Sequence, residues 1–425
     1  MADARLEDVL DAPQRNAALG WAVVTLLAAL AITHGLDGSY RWFVFTGFAV
    51  VIVLVPAVAF RDPLVMPPWE LLVLVLVPVV DAAILGESPL TTVAVYVAVA
   101  AIALVVAVEI HRFTAVRMNH TFAVVLVVLT TLAVAGAWNV AQWLSDVTLG
   151  TAYVLDGRSQ DAANRAMMID FAYAAVAGLL AGVVFDRYFR GHTERVPERS
   201  PTPLESAPDG ESVAVPSLLR DRLDVPDRTV RRLARVLQVA LAVLLLYGLV
   251  GRDLTTVANA AIALAITFLP AILERDYGLP IEPGLAFWLT AAVFLHAIGS
   301  AGLYGAVGSW DNLTHTVSAS IVAAAGYAVV RAIDLHTDEV YFPPTMLFGF
   351  ILVFVLAFGV VWELVEFAVD ESAQWLGVQA VVAQHGIDDT IVDLLFDLVG
   401  AVVAAIWGSF YLTDLSQRIA DRFDG

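Results

Sequence analysis

Residues 346–369 read MLFGFILVFVLAFGVVWELVEFAV, an apolar stretch in which Glu363 and Glu366 are the only ionisable side chains. The hydrocarbon core of a bilayer is about 30 Å thick, and about 20 helical residues are needed to cross it. A stretch of this length and polarity therefore predicts a transmembrane α-helix. Similar apolar runs recur along the whole chain.

Eleven further apolar runs predict an all-α protein, a polytopic bundle of about twelve transmembrane helices. Six of the twelve runs precede a long polar interruption and six follow it. The predicted helices are Ala17–Ile32, Trp42–Phe60, Glu70–Gly86, Leu90–Ile110, Phe122–Leu144, Met167–Phe185, Val236–Val250, Leu254–Ile272, Leu285–Tyr304, Leu313–Ile333, Met346–Val369 and Ile391–Tyr411.

The composition agrees with a membrane protein. Hydrophobic residues make up 60% of the 425 residues and charged residues 15%, whereas about 25% of an ordinary soluble domain is charged. All 23 basic residues are Arg, and 42 acidic residues give a formal net charge of -19. This balance resembles the acidic surfaces of extreme halophiles and argues against a nucleic acid partner. The chain has no Cys, which excludes disulfides, thiolate metal sites and cysteine nucleophiles.

The polar interruption divides the chain into three predicted parts. Residues from about Tyr188 to Asp227 are rich in Pro, Ser, Arg and Glu, a composition that buries too little apolar surface to fold. We predict a first six-helix membrane region at 1–187, a cytoplasmic polar linker at 188–233 and a second six-helix membrane region at 234–425. Arg is concentrated in the linker and in alternate loops, so the positive-inside rule predicts a multi-pass protein of the cell membrane with cytoplasmic termini.

Matching residues in the two membrane regions indicate an internal duplication. Pro56 and Arg61 match Pro270 and Arg275 at an offset of 214 residues. Later matches, at offsets of 223 to 225, pair Glu109 with Asp334, Trp138 with Trp362, Asp146 with Asp370 and Asp170 with Asp393. An offset that changes only where loops absorb insertions is typical of duplication. Six helices per copy make the copies parallel, as in some transporters.

Polar side chains are concentrated in the last three predicted helices. Asp311 and His315 lie one turn apart at the start of the tenth helix, and the eleventh and twelfth helices carry acids at spacings of three and four, which places each set on one face. We predict one site near the outer surface. Its candidate metal ligands are His315, Asp311, Glu363, Glu366, Asp393 and Asp397, supported by Asp370, His385 and Asp389.

Several acids buried close together imply a positive partner, because a charge inside the membrane is costly and like charges oppose one another's ionisation. An oxygen-rich set suits a hard divalent cation, and a His315 ligand favours Zn²⁺ or Mn²⁺. The same acids would suit a proton relay. A third interpretation is that the acids are neutral and only form hydrogen bonds that fix contacts between helices.

The first copy carries amides where the second carries acids. Asn139 and Gln142 align with Glu363 and Glu366. An amide preserves the shape and most hydrogen bonds of a carboxylate without its charge. We therefore predict that the first copy is structural and the second active.

The polar pattern of the second copy resembles the YjdF-like family of uncharacterised membrane proteins. The pattern is D-x-x-x-H opening one helix, E-x-x-E-aromatic in the next and D-x-x-x-D-x-x-G in a third. Its carriers are Asp311, His315, Glu363, Glu366, Phe367, Asp393, Asp397 and Gly400. A looser similarity runs to VanZ-like proteins, although the Arg expected there between the acidic helices is absent. The resemblance covers roughly residues 250–410 and implies a polytopic membrane fold without a settled activity.

Three functions stay open at this point. The favoured one is binding or transport of a cation or proton through an outward-facing acidic vestibule. The alternative is a metal-dependent enzyme in which metal-activated water attacks a lipid headgroup or envelope substrate and a free Glu is the base. A membrane scaffold is the third. His296 and Asp81 are further intramembrane polar groups, for which separate hydrogen-bonded roles are favoured over a pairing between the copies.

Overall fold

The structure, a computed structural model, describes residues 13–86, 89–114, 116, 118–193, 226–278, 281, 283–336, 340–377, 384 and 386–411. These residues form twelve helices when the interrupted eighth and ninth helices are each counted once, and they contain no strand. The helices are α1 Pro13–Leu36, α2 Tyr40–Ala59, α3 Trp69–Leu85, α4 Pro89–Phe113, α5 His120–Leu149, α6 Gln160–Thr193, α7 Asp227–Gly251, α8 Leu254–Ile266 with its continuation Leu269–Tyr277, α9 Pro283–Ile298, α10 Trp310–His336, α11 Pro344–Leu376 and α12 Ile387–Tyr411.

The predicted all-α class and helix order are confirmed. The main difference is length, because several helices extend past their apolar runs. α11 continues seven residues beyond Val369 to Leu376, and α7 begins at Asp227 instead of Val236. These extra turns are polar, so hydropathy does not detect them. Asp370 consequently lies inside α11.

Nine helices in the described part of the chain are long and apolar enough to cross a membrane. They are α1, α2 and α5 through α11. The apolar part of α4, Ala94–Ile110, is shorter, and α3 has 17 residues. The chain is therefore a membrane protein with multiple apolar helices, and the full count of twelve crossings stays a prediction.

The helices form two compact units. Unit 1 comprises Met1–Trp138, Ile169–Phe189 and Glu339–Pro343. One core cluster of its described residues contains the fully buried side chains Leu27 and Leu72, packed with side chains of α2.

Unit 2 comprises Asn139–Met168, Arg190–Asp338 and Pro344–Gly425. It therefore contains α7 through α12 together with the end of α5 and the start of α6. All the predicted ligands belong to this unit. The division of the sequence into two parallel repeats stays a prediction.

Two helices of unit 2 are interrupted. α8 is interrupted at Thr267 and Phe268, just before Pro270, which has no N–H to donate. α9 passes into a π-turn at Gly299–Leu303, where Gly302 has a φ of 136°. A Cβ on Gly299 would lie 2.6 Å from Cζ of Tyr304, so only glycine leaves room for that ring.

Candidate functional site

Three predicted ligands of α10 and α12 come together in the structure. One ligand atom each from Asp311, His315 and Asp393 lies within 4.8 Å of the other two. Nε2 of His315 is 3.8 Å from Oδ1 of Asp311 and 3.7 Å from Oδ1 of Asp393. Two atoms that each bind one ion at about 2.0–2.6 Å are at most about 5 Å apart. These residues, called the α10–α12 cluster below, are therefore spaced to hold a single cation.

Asp397 contacts the other nitrogen of the same imidazole. Nδ1 of His315 lies 3.2 Å from Oδ1 of Asp397. Metal-bound histidines almost always donate their second N–H to a carboxylate, a backbone carbonyl or water, which fixes the tautomer and the ring orientation. With its proton on Nδ1, His315 presents a lone pair on Nε2 towards Asp311 and Asp393. The geometry thus makes Asp397, a predicted ligand, the orienting partner of His315.

A chain of hydrogen-bonding groups leads from the π-turn to Asp311. Oγ1 of Thr314 donates to the backbone carbonyl of Asp311 at 2.8 Å and lies 3.2 Å from its Oδ1. The Tyr304 hydroxyl is 3.4 Å from Oγ1 of Thr314 and 2.7 Å from Nδ1 of His296. His296 therefore has Tyr304, eight residues later, as its hydrogen-bonding partner. Tyr304 and Thr314 connect His296 to Asp311.

Glu363 of α11 is fully buried, with 1% of its surface exposed. Its Oε2 accepts a hydrogen bond from Nε2 of Gln384 at 2.8 Å, and its backbone carbonyl accepts one from the same nitrogen at 2.9 Å. Its Oε1 has no hydrogen-bond partner among the described residues. A buried carboxylate oxygen without a partner is costly. Glu363 therefore offers a free oxygen for a cation, a proton or water.

The remaining predicted site residues are Glu366, Asp370, Asp389 and His385. Glu366 is half-buried one turn after Glu363. Asp370 accepts a hydrogen bond from Nε2 of Gln374 at 3.1 Å. Asp389 is half-buried one turn before Asp393. His385 lies outside the described residues.

Two glycines let the three helices approach at the site. A Cβ on Gly400 of α12 would lie 2.3 Å from the carbonyl oxygen of Thr316, in α10. A Cβ on Gly359 of α11 would lie 2.7 Å from Oδ2 of Asp397. Gly400 is the last residue of the D-x-x-x-D-x-x-G pattern. The close approach of α10 explains why this position is a glycine, since any larger residue would collide with the α10 backbone.

Sequence reasoning missed the residues of the α5–α6 segment that contact α11, α12 and Gln384. Nδ2 of Asn164 donates to Oε1 of Gln384 at 2.7 Å. Asp388 accepts from Nε1 of Trp143 at 2.6 Å and from Nε2 of Gln160 at 2.8 Å. These partners are 220 to 245 residues apart in sequence. No spacing pattern signals such contacts.

Comparison with known proteins agrees with the motif. Residues 233–414 match the family described as predicted membrane protein (DUF2238), and residues 4–66 match a domain of unknown function (DUF8268). An uncharacterised protein of Thermotoga maritima is 28% identical over 177 residues, which are 41% of this chain and 87% of that protein. No solved structure matches the chain. The region that contains the α10–α12 cluster thus matches the YjdF-like family of predicted membrane proteins that its polar pattern indicated.

Proposed function

We propose that this membrane protein binds a divalent metal cation at Asp311, His315 and Asp393. The observation that carries the proposal is the convergence of one imidazole nitrogen and two carboxylate oxygens within 4.8 Å. The side chains of His315 and Asp393 are only 14% and 6% exposed, which distinguishes them from a solvated acidic surface. An imidazole with carboxylates suits Zn²⁺ or Mn²⁺.

The charge balance of the site supports the same proposal. The acids Asp311, Asp393 and Asp397 all face His315. One imidazole does not balance three carboxylates, and the unpartnered oxygen of Glu363 adds to the deficit. Five Arg side chains of the described residues form ion pairs with other acids: Arg158–Asp156, Arg165–Glu371, Arg231–Asp227, Arg275–Asp276 and Arg331–Asp334. A bound cation supplies the missing positive charge.

A cation site between membrane helices fits transport. Ionisable residues within membrane segments commonly mark ion or proton pathways. In this proposal the cation or proton enters through an acidic vestibule formed by the ends of α10, α11 and α12. When the cation leaves, protons on the same acids replace its charge.

A metal-dependent enzyme is the second candidate, and the number of ligands favours it. Three protein ligands leave at least one coordination position on Zn²⁺ for water, as in catalytic zinc sites. A metal-bound water is a nucleophile near neutral pH. Glu363 would then act as the base, and the substrate would be a lipid headgroup or an envelope component.

Metal binding by the purified protein tests the proposal. We expect stoichiometric Zn²⁺ or Mn²⁺ by elemental analysis, and calorimetric affinity at least about tenfold weaker in His315→Gln and Asp393→Asn, which is about 1.4 kcal/mol. Asp276→Asn is the matched control, because Asp276 pairs with Arg275 on the surface of α8 and is not a predicted site residue, and its affinity should equal that of the wild type. Absence of binding of either ion to the wild type would reject the site.

Flux measurements in vesicles separate the two functions. Uptake of Mn²⁺ or Zn²⁺ that depends on His315 supports transport. A metal that resists chelation, together with an absence of flux, supports the enzyme.

A further inference from the structure

We infer that Asn164, from the first half of the chain, is a positioning residue of the cation site and acts through Gln384 on Glu363. The inference rests on the proposed cation site. It assigns to the first half a role in the site, in addition to the structural role that its amides predict.

A hydrogen-bonded chain carries the inference. Asn164 is buried, with 4% of its surface exposed, and its Nδ2 donates to Oε1 of Gln384 at 2.7 Å. Nε2 of Gln384 then donates to Oε2 of Glu363 at 2.8 Å and to the backbone carbonyl of Glu363 at 2.9 Å. Gln384 thus joins a residue of α6 to the buried acid of α11.

Each hydrogen bond from Asn164 to Glu363 has a defined donor and acceptor. A side-chain amide has one donor end and one acceptor end. Because Asn164 occupies the oxygen of Gln384 with a donor, Gln384 is left with N–H groups to offer Glu363. Without Asn164, Oε1 of Gln384 loses its partner, and the amide is held only through Nε2.

The chain also selects which oxygen of Glu363 stays free. Gln384 binds Oε2, whereas Oε1 has no partner among the described residues. Gly359, one turn before Glu363 in α11, lies against Asp397, because a Cβ on Gly359 would be 2.7 Å from Oδ2 of Asp397. Asn164 and Gln384 therefore hold Glu363 through Oε2 and leave Oε1 without a partner among the described residues, on the helix that packs against Asp397.

The segment that carries Asn164 is anchored separately from this chain. Asp146 orders the α5–α6 connection by accepting from Thr151 Oγ1 at 2.5 Å and from the backbone N–H groups of Tyr153, Val154 and Leu155. Trp143 and Gln160 hold the segment to Asp388, and Arg165 pairs with Glu371. None of these contacts involves Glu363. A substitution that removes one of these contacts therefore tests attachment of the α5–α6 segment without changing the hydrogen bonds to Glu363.

The experiment compares Asn164→Leu and Gln384→Leu with the control Gln160→Leu. The first two remove the hydrogen-bonding groups and keep a side chain branched like that of Asn, and we expect Zn²⁺ or Mn²⁺ affinity to fall by about tenfold or more in calorimetry. Gln160 lies in the same segment as Asn164, and Gln160→Leu removes its contact with Asp388 of α12. This variant should leave the metal affinity unchanged. If Asn164→Leu fails to fold, Asn164→Asp replaces the same donor with an acceptor and should weaken binding in the same way.

A second readout does not depend on metal. Hydrophobic carbodiimides modify protonated carboxyl groups in membrane proteins, and mass spectrometry measures the modification of Glu363. Because Gln384 holds Glu363 with donors, labelling of Glu363 should rise several-fold in Asn164→Leu and Gln384→Leu but not in Gln160→Leu.

The outcomes separate the two claims. Increased labelling in a protein that binds no metal would reject the proposed function and leave the positioning role supported. Wild-type affinity and labelling in both chain variants would overturn the inference. Equal losses in Gln160→Leu would also overturn it, because they would show that anchoring of the segment alone is responsible.

Discussion

At the scale of single residues, His315 has different neighbours on its two ring nitrogens. Nδ1 faces Asp397 at 3.2 Å, and Nε2 faces Asp393 at 3.7 Å. A neutral imidazole carries its proton on one nitrogen and its lone pair on the other. The carboxylate at Nδ1 therefore determines whether Nε2 is free to bind a metal.

Substitution of Asp397 by Asn tests this role. Asn has almost the same shape, but its NH₂ group can donate to Nδ1, which moves the imidazole proton to Nε2 and removes the ligand. Changes to such orienting partners typically reduce metal affinity about 10- to 100-fold. We expect a loss of this size for Asp397→Asn in calorimetric titration with Zn²⁺, with Asp276→Asn as the control. Unchanged affinity would assign Asp397 to helix packing.

The sequence predicted these neighbours only in part. Helical spacing placed Asp311 with His315 and Asp393 with Asp397, because residues four apart share a face. It did not show which carboxylate meets which nitrogen, since that depends on how α10 and α12 are rotated against each other.

At the scale of helices, the site depends on close approach of α10 and α12. Gly400 faces the backbone of α10, where a Cβ would lie 2.3 Å from the carbonyl oxygen of Thr316 and 2.9 Å from Cβ of Ala319. Contact between helices at small residues is a common way to bring membrane helices close together. The motif revealed Gly400, but hydropathy gave no sign of which helix it would contact.

Replacement of Gly400 by Ala should separate the two helices. Overpacking of this kind typically costs about 1–3 kcal/mol, and the ligands on α10 and α12 would move apart. We expect a lower unfolding temperature in detergent together with weaker metal binding. Gly349→Ala is the control, because Gly349 lies in α11 with nothing within 4 Å of the added Cβ. A Gly400→Ala protein as stable as the control would contradict the packing argument.

At the scale of the whole molecule, hydropathy predicted the number and order of the helices but not the grouping of residues into units. Each apolar run is a local signal, so the run itself is enough to indicate a helix. Unit 2 takes in Asn139–Met168 through contacts such as Asn164 with Gln384, which join distant parts of the chain. Such contacts leave no local pattern, and for this reason the role of the first half could be inferred only from the structure.

The membrane orientation is a prediction that the chain itself makes easy to test. The sequence contains no Cys, so a single introduced thiol reports on one position without background. Ser206 lies in the Arg-rich linker, which the positive-inside rule assigns to the cytoplasm. Ser372 is exposed in the last turns of α11. An odd number of predicted crossings separates the two positions, so an impermeant maleimide applied outside intact cells should label Ser372→Cys and not Ser206→Cys. Both should react after the membrane is permeabilised. Labelling of both variants in intact cells would reject the twelve-helix topology with cytoplasmic termini.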